Sequence, residues 1–142
     1  MIILGIETSC DETAASVVAN GQDILSCVVS SSLAHHKKYG GIIPEIASRK
    51  QLESIHTVVD EALKTARKTI SQLDGIAVTA NPGLIGSLLV GISFAQGLAY
   101  SRSIPLVKVD HIMAHMYANF LTFQKTSGRP QKPELPAVGL IV

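Results

Sequence analysis

Cysteine is nearly absent: Cys10 and Cys27 are the only two in 142 residues, which excludes a disulfide-stapled scaffold. No basic leader precedes the strand-like opening Met1-Ile-Ile-Leu-Gly5, so both are expected to be reduced thiols of a cytosolic protein. Charge is sparse as well. Charged residues make up 16% of the chain and the net charge is +1. That balance leaves no strong electrostatic footprint for nucleic acid, although it is compatible with a local patch. Long apolar runs are also missing. The longest, residues 84–100, is interrupted by Gly86, Gly91 and Gly97 and by serine and glutamine, and is too short and too polar to span a bilayer. What is present is 46% apolar content, enough to bury one core, so one soluble intracellular domain is expected.

The apolar pattern predicts an ordered series of elements. Residues 2–7 read as a central strand and 8–13 as a polar turn. Strands at 14–19 and 23–30 flank Asn20-Gly21, a dipeptide that favours tight hairpin turns. Residues 31–41 read as a polar loop. A helix is expected from 45 to about 68, with Ile46, Leu52, Ile55, Val59, Ala62 and Leu63 at roughly helical spacing. A strand (74–79), a turn at Asn81-Pro-Gly83 and a glycine-spotted helix (84–100) follow. After them come a strand (105–109), a helix (111–123), a loop with Gly128, Pro130 and Pro133, and a last strand (136–142).

The order β-β-β-α-β-α-β-α is that of the ribonuclease-H-like α/β domain with a mixed sheet, shared by actin, sugar kinases and the actin-like heat-shock chaperones. Proteins of that fold usually hold two such domains with nucleotide between them. A chain that ends on an apolar strand with no covering helix reads as a fragment. Residues 1–134 are therefore expected to form the first lobe of a two-lobe enzyme, and 135–142 the first strand of a truncated second lobe.

Four segments can carry chemistry. His111 and His115, in Asp110-His-Ile-Met-Ala-His115, lie on one face of a helix, one turn apart, where both imidazoles can bind one metal ion. Two partly buried histidines satisfied by hydrogen bonds would show the same spacing. The pair follows an apolar run that reads as a buried strand, and strand ends that feed helices are where open α/β sheets place their sites. Asp110 either caps the helix, its favoured role, or orients a ligand imidazole. The turn Thr8-Ser-Cys-Asp-Glu12 offers hydroxyls on Thr8 and Ser9, backbone amides, and carboxylates on Asp11 and Glu12. It can accept a phosphate or be a polar turn held by local hydrogen bonds. The strand–turn–helix around Gly83 matches neither the Walker lysine pattern nor the dinucleotide fingerprint. Close helix packing is the favoured role of Gly86, Gly91 and Gly97. Glu45 suits the start of its helix, and a pair with Arg49 would add little if exposed. The basic stretch His35-His-Lys-Lys38 reads as a solvated loop, though it could contribute to a phosphate-binding surface.

Together, Ile6-Glu-Thr-Ser-Cys-Asp-Glu-Thr13, Tyr39-Gly-Gly-Ile-Ile-Pro-Glu-Ile-Ala-Ser-Arg49, Pro82-Gly-Leu-Ile-Gly-Ser-Leu-Leu-Val-Gly91 and Asp110-His-Ile-Met-Ala-His115 resemble one family in order and spacing. It is the tRNA threonylcarbamoyladenosine synthases, the bacterial TsaD proteins with their archaeal, eukaryotic and mitochondrial relatives, formerly called O-sialoglycoprotein endopeptidases. The resemblance implies a two-domain actin-like fold with iron or zinc on His111, His115 and an aspartate from the second domain. It implies transfer of a threonylcarbamoyl group from threonylcarbamoyl-AMP to N6 of the adenosine beside the anticodon. Asp11 and Glu12 would be the acidic, catalytic turn, and Thr8 and Ser9 would contact the donor. Implied partners are tRNA, a paralogous actin-like protein and a small ATPase, with a homodimer also possible. The setting would be cytoplasmic, with no membrane.

Three residues depart from the family's pattern: Asn81 stands where glycine is common, Gln51 where histidine is, and Ser32 where glutamine is. Among other functions, a His-Glu-x-x-His peptidase is disfavoured because Ile112 occupies the position of the general base. A non-catalytic binding module would have no need of the histidine pair. Nothing in these residues points to the substrate of a small-molecule kinase.

Overall fold

The computed structural model describes residues 1–123 and 133–140. Three strands open the chain: β1 (Ile2–Glu7), β2 (Glu12–Ala19) and β3 (Asp23–Ser31). They form the expected antiparallel meander. Asn20 and Gly21 turn the hairpin with φ of 53° and 74°, left-handed at both centres of a tight turn. Gln22, whose N–H donates to the Ala19 carbonyl, completes the three-residue connection. Among the described residues the sheet has six strands in the order β5-β4-β1-β2-β3-β6, where β4 is Gly75–Asn81, β5 is Leu106–Asp110 and β6 is Thr122–Phe123. Strands β4 and β5 run parallel to β1. The C-terminal ends of three parallel strands therefore lie side by side.

Alternation along each strand decides what is buried. Leu4 and Ile6 of β1, Ala15 and Val17 of β2, and Ile76 and Val78 of β4 share one face and are at most 3% exposed. Two helices cover that face: α2 (Pro44–Thr65), through Ile55, Val58, Val59 and Ala62, and α3 (Ile85–Arg102), through Ala95 and Ala99. Burying a side chain of this kind contributes about 1.5–3 kcal/mol. The other face carries Gly5, Glu7, Ala14, Ser16 and Ala77. There a short helix, α4 (His111–Ala118), borders a cavity of about 450 Å³. No helix among the described residues is long and apolar enough to cross a membrane.

Several boundaries differ from the sequence pattern. The expected loop at 31–41 contains the short helix α1 (Leu33–His36) and a 3-10 turn at Lys37–Tyr39. His36 is buried there, with Nε2 3.0 Å from the Ser32 hydroxyl. The long helix stops at Thr65, just before Arg67 turns into the left-handed region at φ 54°. Helix α4 ends at Ala118 instead of continuing to 123, because Thr122 donates its N–H to the carbonyl of Gln22 (2.8 Å) and starts β6 beside β3. The strand expected at 136–142 is absent from its described part, 136–140. Val138 and Leu140 are 99% and 84% exposed, with no neighbouring strand among the described residues to take their backbone groups. Residues 141 and 142, and the glycine and first proline of the expected loop before them, lie outside the described residues.

The helix glycines divide. A methyl group on Gly91 would lie 2.3 Å from the Thr8 hydroxyl and one on Gly86 3.3 Å from Ser48, whereas nothing lies within 4 Å at Gly97. Close packing thus explains Gly91 and Gly86 but not Gly97. Gly91→Ala is expected to destabilise the protein by about 1–3 kcal/mol through overpacking. Gly97→Ala should be neutral or stabilising by up to about 1 kcal/mol. Equilibrium urea unfolding of the two variants checks the contrast.

Candidate metal centre

The parallel strands β1, β4 and β5 end together, and the side chains at those ends build the site. Asp110 closes β5 and caps α4. Its Oδ1 accepts the N–H of Met113 (3.0 Å), satisfying one of the donors that a helix start leaves free. Its Oδ2 accepts from Asn81 Nδ2 at the end of β4 (2.7 Å). Capping is therefore the role of Asp110, and the capped helix begins with His111 directly over the sheet end.

His111 and His115 then face each other. Their Nε2 atoms are 3.0 Å apart, and the rings sit edge to face with centroids 4.4 Å apart. Two ligands of one tetrahedral ion, each at about 2.0–2.1 Å, would stand about 3.3 Å apart. The pair needs little adjustment to share a cation, so the residues fit the metal that the sequence resemblance implies. No third histidine, cysteine, aspartate or glutamate among the described residues completes a ligand set.

Behind the pair lies Glu7, the last residue of β1. His111 Nδ1 is 3.3 Å from Glu7 Oε2 and 3.2 Å from the Ser9 hydroxyl. The backbone N–H of Ser9 and the hydroxyl of Thr79 also donate to the Glu7 carboxylate. Burial pushes this carboxyl up, but the hydrogen bonds from Ser9, Thr79 and His111 outweigh it and hold Glu7 below the usual carboxylate range. Glu7 and Thr79 were missed in the sequence. The signal was available, since Glu7 falls on the opposite face from Leu4 and Ile6, at the end of a central strand.

The turn after β1 is held by its carbonyls. Gln51 Nε2 lies 3.3, 3.1 and 2.9 Å from the carbonyls of Thr8, Cys10 and Glu12. Leu84 N–H donates to Ser9 O at 2.7 Å. Ser87 Oγ donates to Cys10 O at 3.1 Å, and Ser32 Oγ to Asp11 O at 2.7 Å. Of the expected site residues, Thr8 faces away: it is fully buried and its hydroxyl donates to Ser87 O (2.8 Å). Ser9 is buried with its hydroxyl against His111. Asp11 is half-buried and Glu12 exposed, and neither side chain forms a hydrogen bond with Glu7, Ser9 or the histidines. Glu45 and Arg49 pair at 2.8 Å, but both are more than 70% exposed, so the pair adds little.

Comparison with known proteins gives the following. The sequence matches the TsaD family, described as tRNA N6-adenosine threonylcarbamoyltransferase, over residues 23–142. A Fusobacterium nucleatum protein of that name is 53% identical over all 142 residues, 100% of this chain and 39% of the relative. One from Caldicellulosiruptor saccharolyticus is 54% identical over 125 residues, 88% of this chain and 37% of the relative. The chain thus spans well under half the length of these relatives. Among solved structures, YeaZ from Pseudomonas aeruginosa superposes with a TM-score of 0.57 at 20% identity, covering 79% of this chain and 46% of that one. A Thermus thermophilus RuvC solved with a Holliday junction superposes with a TM-score of 0.51 at 16% identity, covering 82% and 68%. At such identities the likeness concerns the fold alone, and it agrees with the ribonuclease-H-like architecture.

Gln51 is the side chain on which the turn most depends, and its own Oε1 is buried without a partner. Gln51→Leu would leave three carbonyls without that donor and should cost about 1–3 kcal/mol. Faster amide exchange confined to residues 8–12, together with a lower urea midpoint, is the expected result. Unchanged exchange there would show that the clamp is dispensable.

Proposed function

The chain belongs to the tRNA N6-adenosine threonylcarbamoyltransferase family, and from that premise we propose that it supplies two metal ligands, His111 and His115, and one phosphate-facing turn to such an enzyme. The observation that carries the reading is the 3.0 Å approach of the two Nε2 atoms over the C-terminal ends of β1, β4 and β5. Spacing alone left two partly buried histidines satisfied by hydrogen bonds as an alternative, and the exposure of the His115 ring speaks against that reading. Convergence of two ring nitrogens on one point is the arrangement that a shared ion requires.

The reaction would pass a threonylcarbamoyl group from threonylcarbamoyl-AMP to N6 of the adenosine next to the anticodon. A bound iron or zinc ion would supply Lewis-acid stabilisation of charge on phosphate or carbamoyl oxygens. The chain's own residues do the rest of the work proposed here. The turn 8–12 turns its carbonyls toward α2, α3 and Ser32, which suits it to present amides to an anion. Ser9 contributes from beside His111, while Thr8 acts by anchoring the turn to α3. One of Asp11 and Glu12, whose side chains are free of partners in the histidine cluster, would accept a proton from the adenine amine. Residues 1–134 would form the first lobe, with the third ligand on a second lobe of the whole protein.

A peptidase reading fares worse. The carboxylate nearest the pair, Glu7, stands on the Nδ1 side of His111, away from the point where the two Nε2 atoms meet, and residue 112 is isoleucine. A scaffold without activity would not need the histidine convergence. For partners we propose tRNA, a paralogous actin-like protein and a small ATPase, in the cytoplasm. The exposed apolar residues Ile85, Leu89 and Tyr100 along α3 (79%, 56% and 91% exposed) support a protein partner on that helix.

The test uses the full-length protein with its partner proteins and threonylcarbamoyl-AMP. His111→Ala and His115→Ala should each empty the metal site and lower modification of tRNA by on the order of 10²-fold or more. Metal content by elemental analysis and nucleoside mass spectrometry read the two effects. A double variant that keeps both its metal and its activity would remove the assignment.

A further inference from the structure

We propose that Glu7 is a positioning residue for the metal ligand His111, accepting the hydrogen bond of its Nδ1–H so that the Nε2 lone pair faces the ion. The inference rests on the reading of His111 and His115 as ligands and adds a residue that acts through one of them. A carboxylate only accepts, and Glu7 Oε2 stands 3.3 Å from His111 Nδ1. The opposite tautomer would set a nitrogen lone pair against a carboxylate oxygen, leaving only the Ser9 hydroxyl, 3.2 Å away, to donate to it. The tautomer with Nδ1–H satisfies both neighbours, since the Ser9 oxygen can accept as well.

Glu7 is suited to this role because it cannot turn away. The Ser9 backbone N–H holds Oε1 and the Thr79 hydroxyl holds Oε2, so the turn after β1 and strand β4 together fix the carboxylate plane. The other nearby carboxylate, Asp110, has both oxygens committed to Met113 N and Asn81 Nδ2. The consequence reaches the second histidine. With the His111 proton on Nδ1, the 3.0 Å contact between the two Nε2 atoms requires His115 to carry its proton on Nε2 when no metal is bound. His111 is thus a preset ligand and His115 is not. Second-sphere carboxylates of this kind are typically worth 10–100-fold in metal affinity.

The experiment takes the full-length protein, stripped of metal and labelled with nitrogen-15, and assigns each imidazole tautomer from two-bond proton–nitrogen correlations. Zn2+ affinity is then measured by competition with a chelator. Expected are Nδ1–H at His111 and Nε2–H at His115 in the unaltered protein. Glu7→Gln should lose the His111 preference and bind Zn2+ about 10-fold more weakly. An Nε2–H tautomer at His111 in the unaltered protein overturns the proposal even if the variant does not fold. Weakened binding in His111→Ala with unchanged binding in Glu7→Gln overturns it while leaving the ligand assignment intact. Unchanged binding in His111→Ala overturns both.

Discussion

The turn from Thr8 to Glu12 is fastened by its carbonyls, and the rest of the site depends on that. Five successive carbonyls accept hydrogen bonds from α2, α3, Leu84 and Ser32. Buried backbone acceptors without partners are costly, so a turn this deep is stable only where its surroundings supply donors. Once they do, the position of Ser9 is set, and with it the N–H that holds Glu7 and the hydroxyl that meets His111. Gly91 completes the fit, since only a residue without a side chain lets α3 pass so close to Thr8. The sheet end, two helices and the histidine pair are thereby coupled through one short segment.

The legible part of the fold was the part governed by local periodicity. Strands with one covered face alternate, hairpins with Asn-Gly announce themselves, and the long helix shows its apolar stripe. The five strands and three longer helices between residues 2 and 118 could therefore be read in order, but not the short helix at Leu33–His36. Elements decided by a distant partner could not be read that way. The two residues of β6 become a strand only because Gln22 offers a carbonyl, and His36 closes the loop at 31–41 only because Ser32 meets it. Apolar residues 136–140 resemble a strand in composition, yet a strand needs a neighbour to take its backbone groups. The site divided along the same line. The histidine pair, a local i,i+4 feature, was visible. Glu7 and Thr79, brought together from β1 and β4 across 72 residues of sequence, were not.

The three departures from the family's pattern gain a physical meaning from their contacts. Ser32 and Gln51 both donate to carbonyls of the turn, and Asn81 donates to Asp110 at the helix cap. All three lie where a polar side chain supports the site from behind, and none faces the point between the two Nε2 atoms. Substitution in such a place is tolerated when the new group still reaches the same acceptor. At positions 32 and 51 the requirement is for a donor rather than for one residue type, whereas a glycine at 81 has no side chain to donate, so the Asn81–Asp110 bond is an addition to the cap. The departures therefore alter how the site is supported and leave the groups it presents unchanged.

The two histidines, though chemically alike, are held by different parts of the molecule. His111 sits at the junction of β5 and α4, where Asp110, Asn81, Glu7 and Ser9 fix it to the ends of three strands and the turn. His115 is one helical turn farther on, in a helix with no buried residue, and among the described residues its ring nitrogen meets only His111. Packing and hydrogen bonds, not sequence spacing, determine how rigid a ligand is. If the two rings share an ion as proposed, one fixed and one yielding ligand would let the site admit it and then adjust to a further donor. A pair clamped equally on both sides would demand the final geometry before the ion arrived. Among the described residues the helix that carries the pair is capped firmly at its start and only partly covered beyond it, and this asymmetry follows directly from that construction.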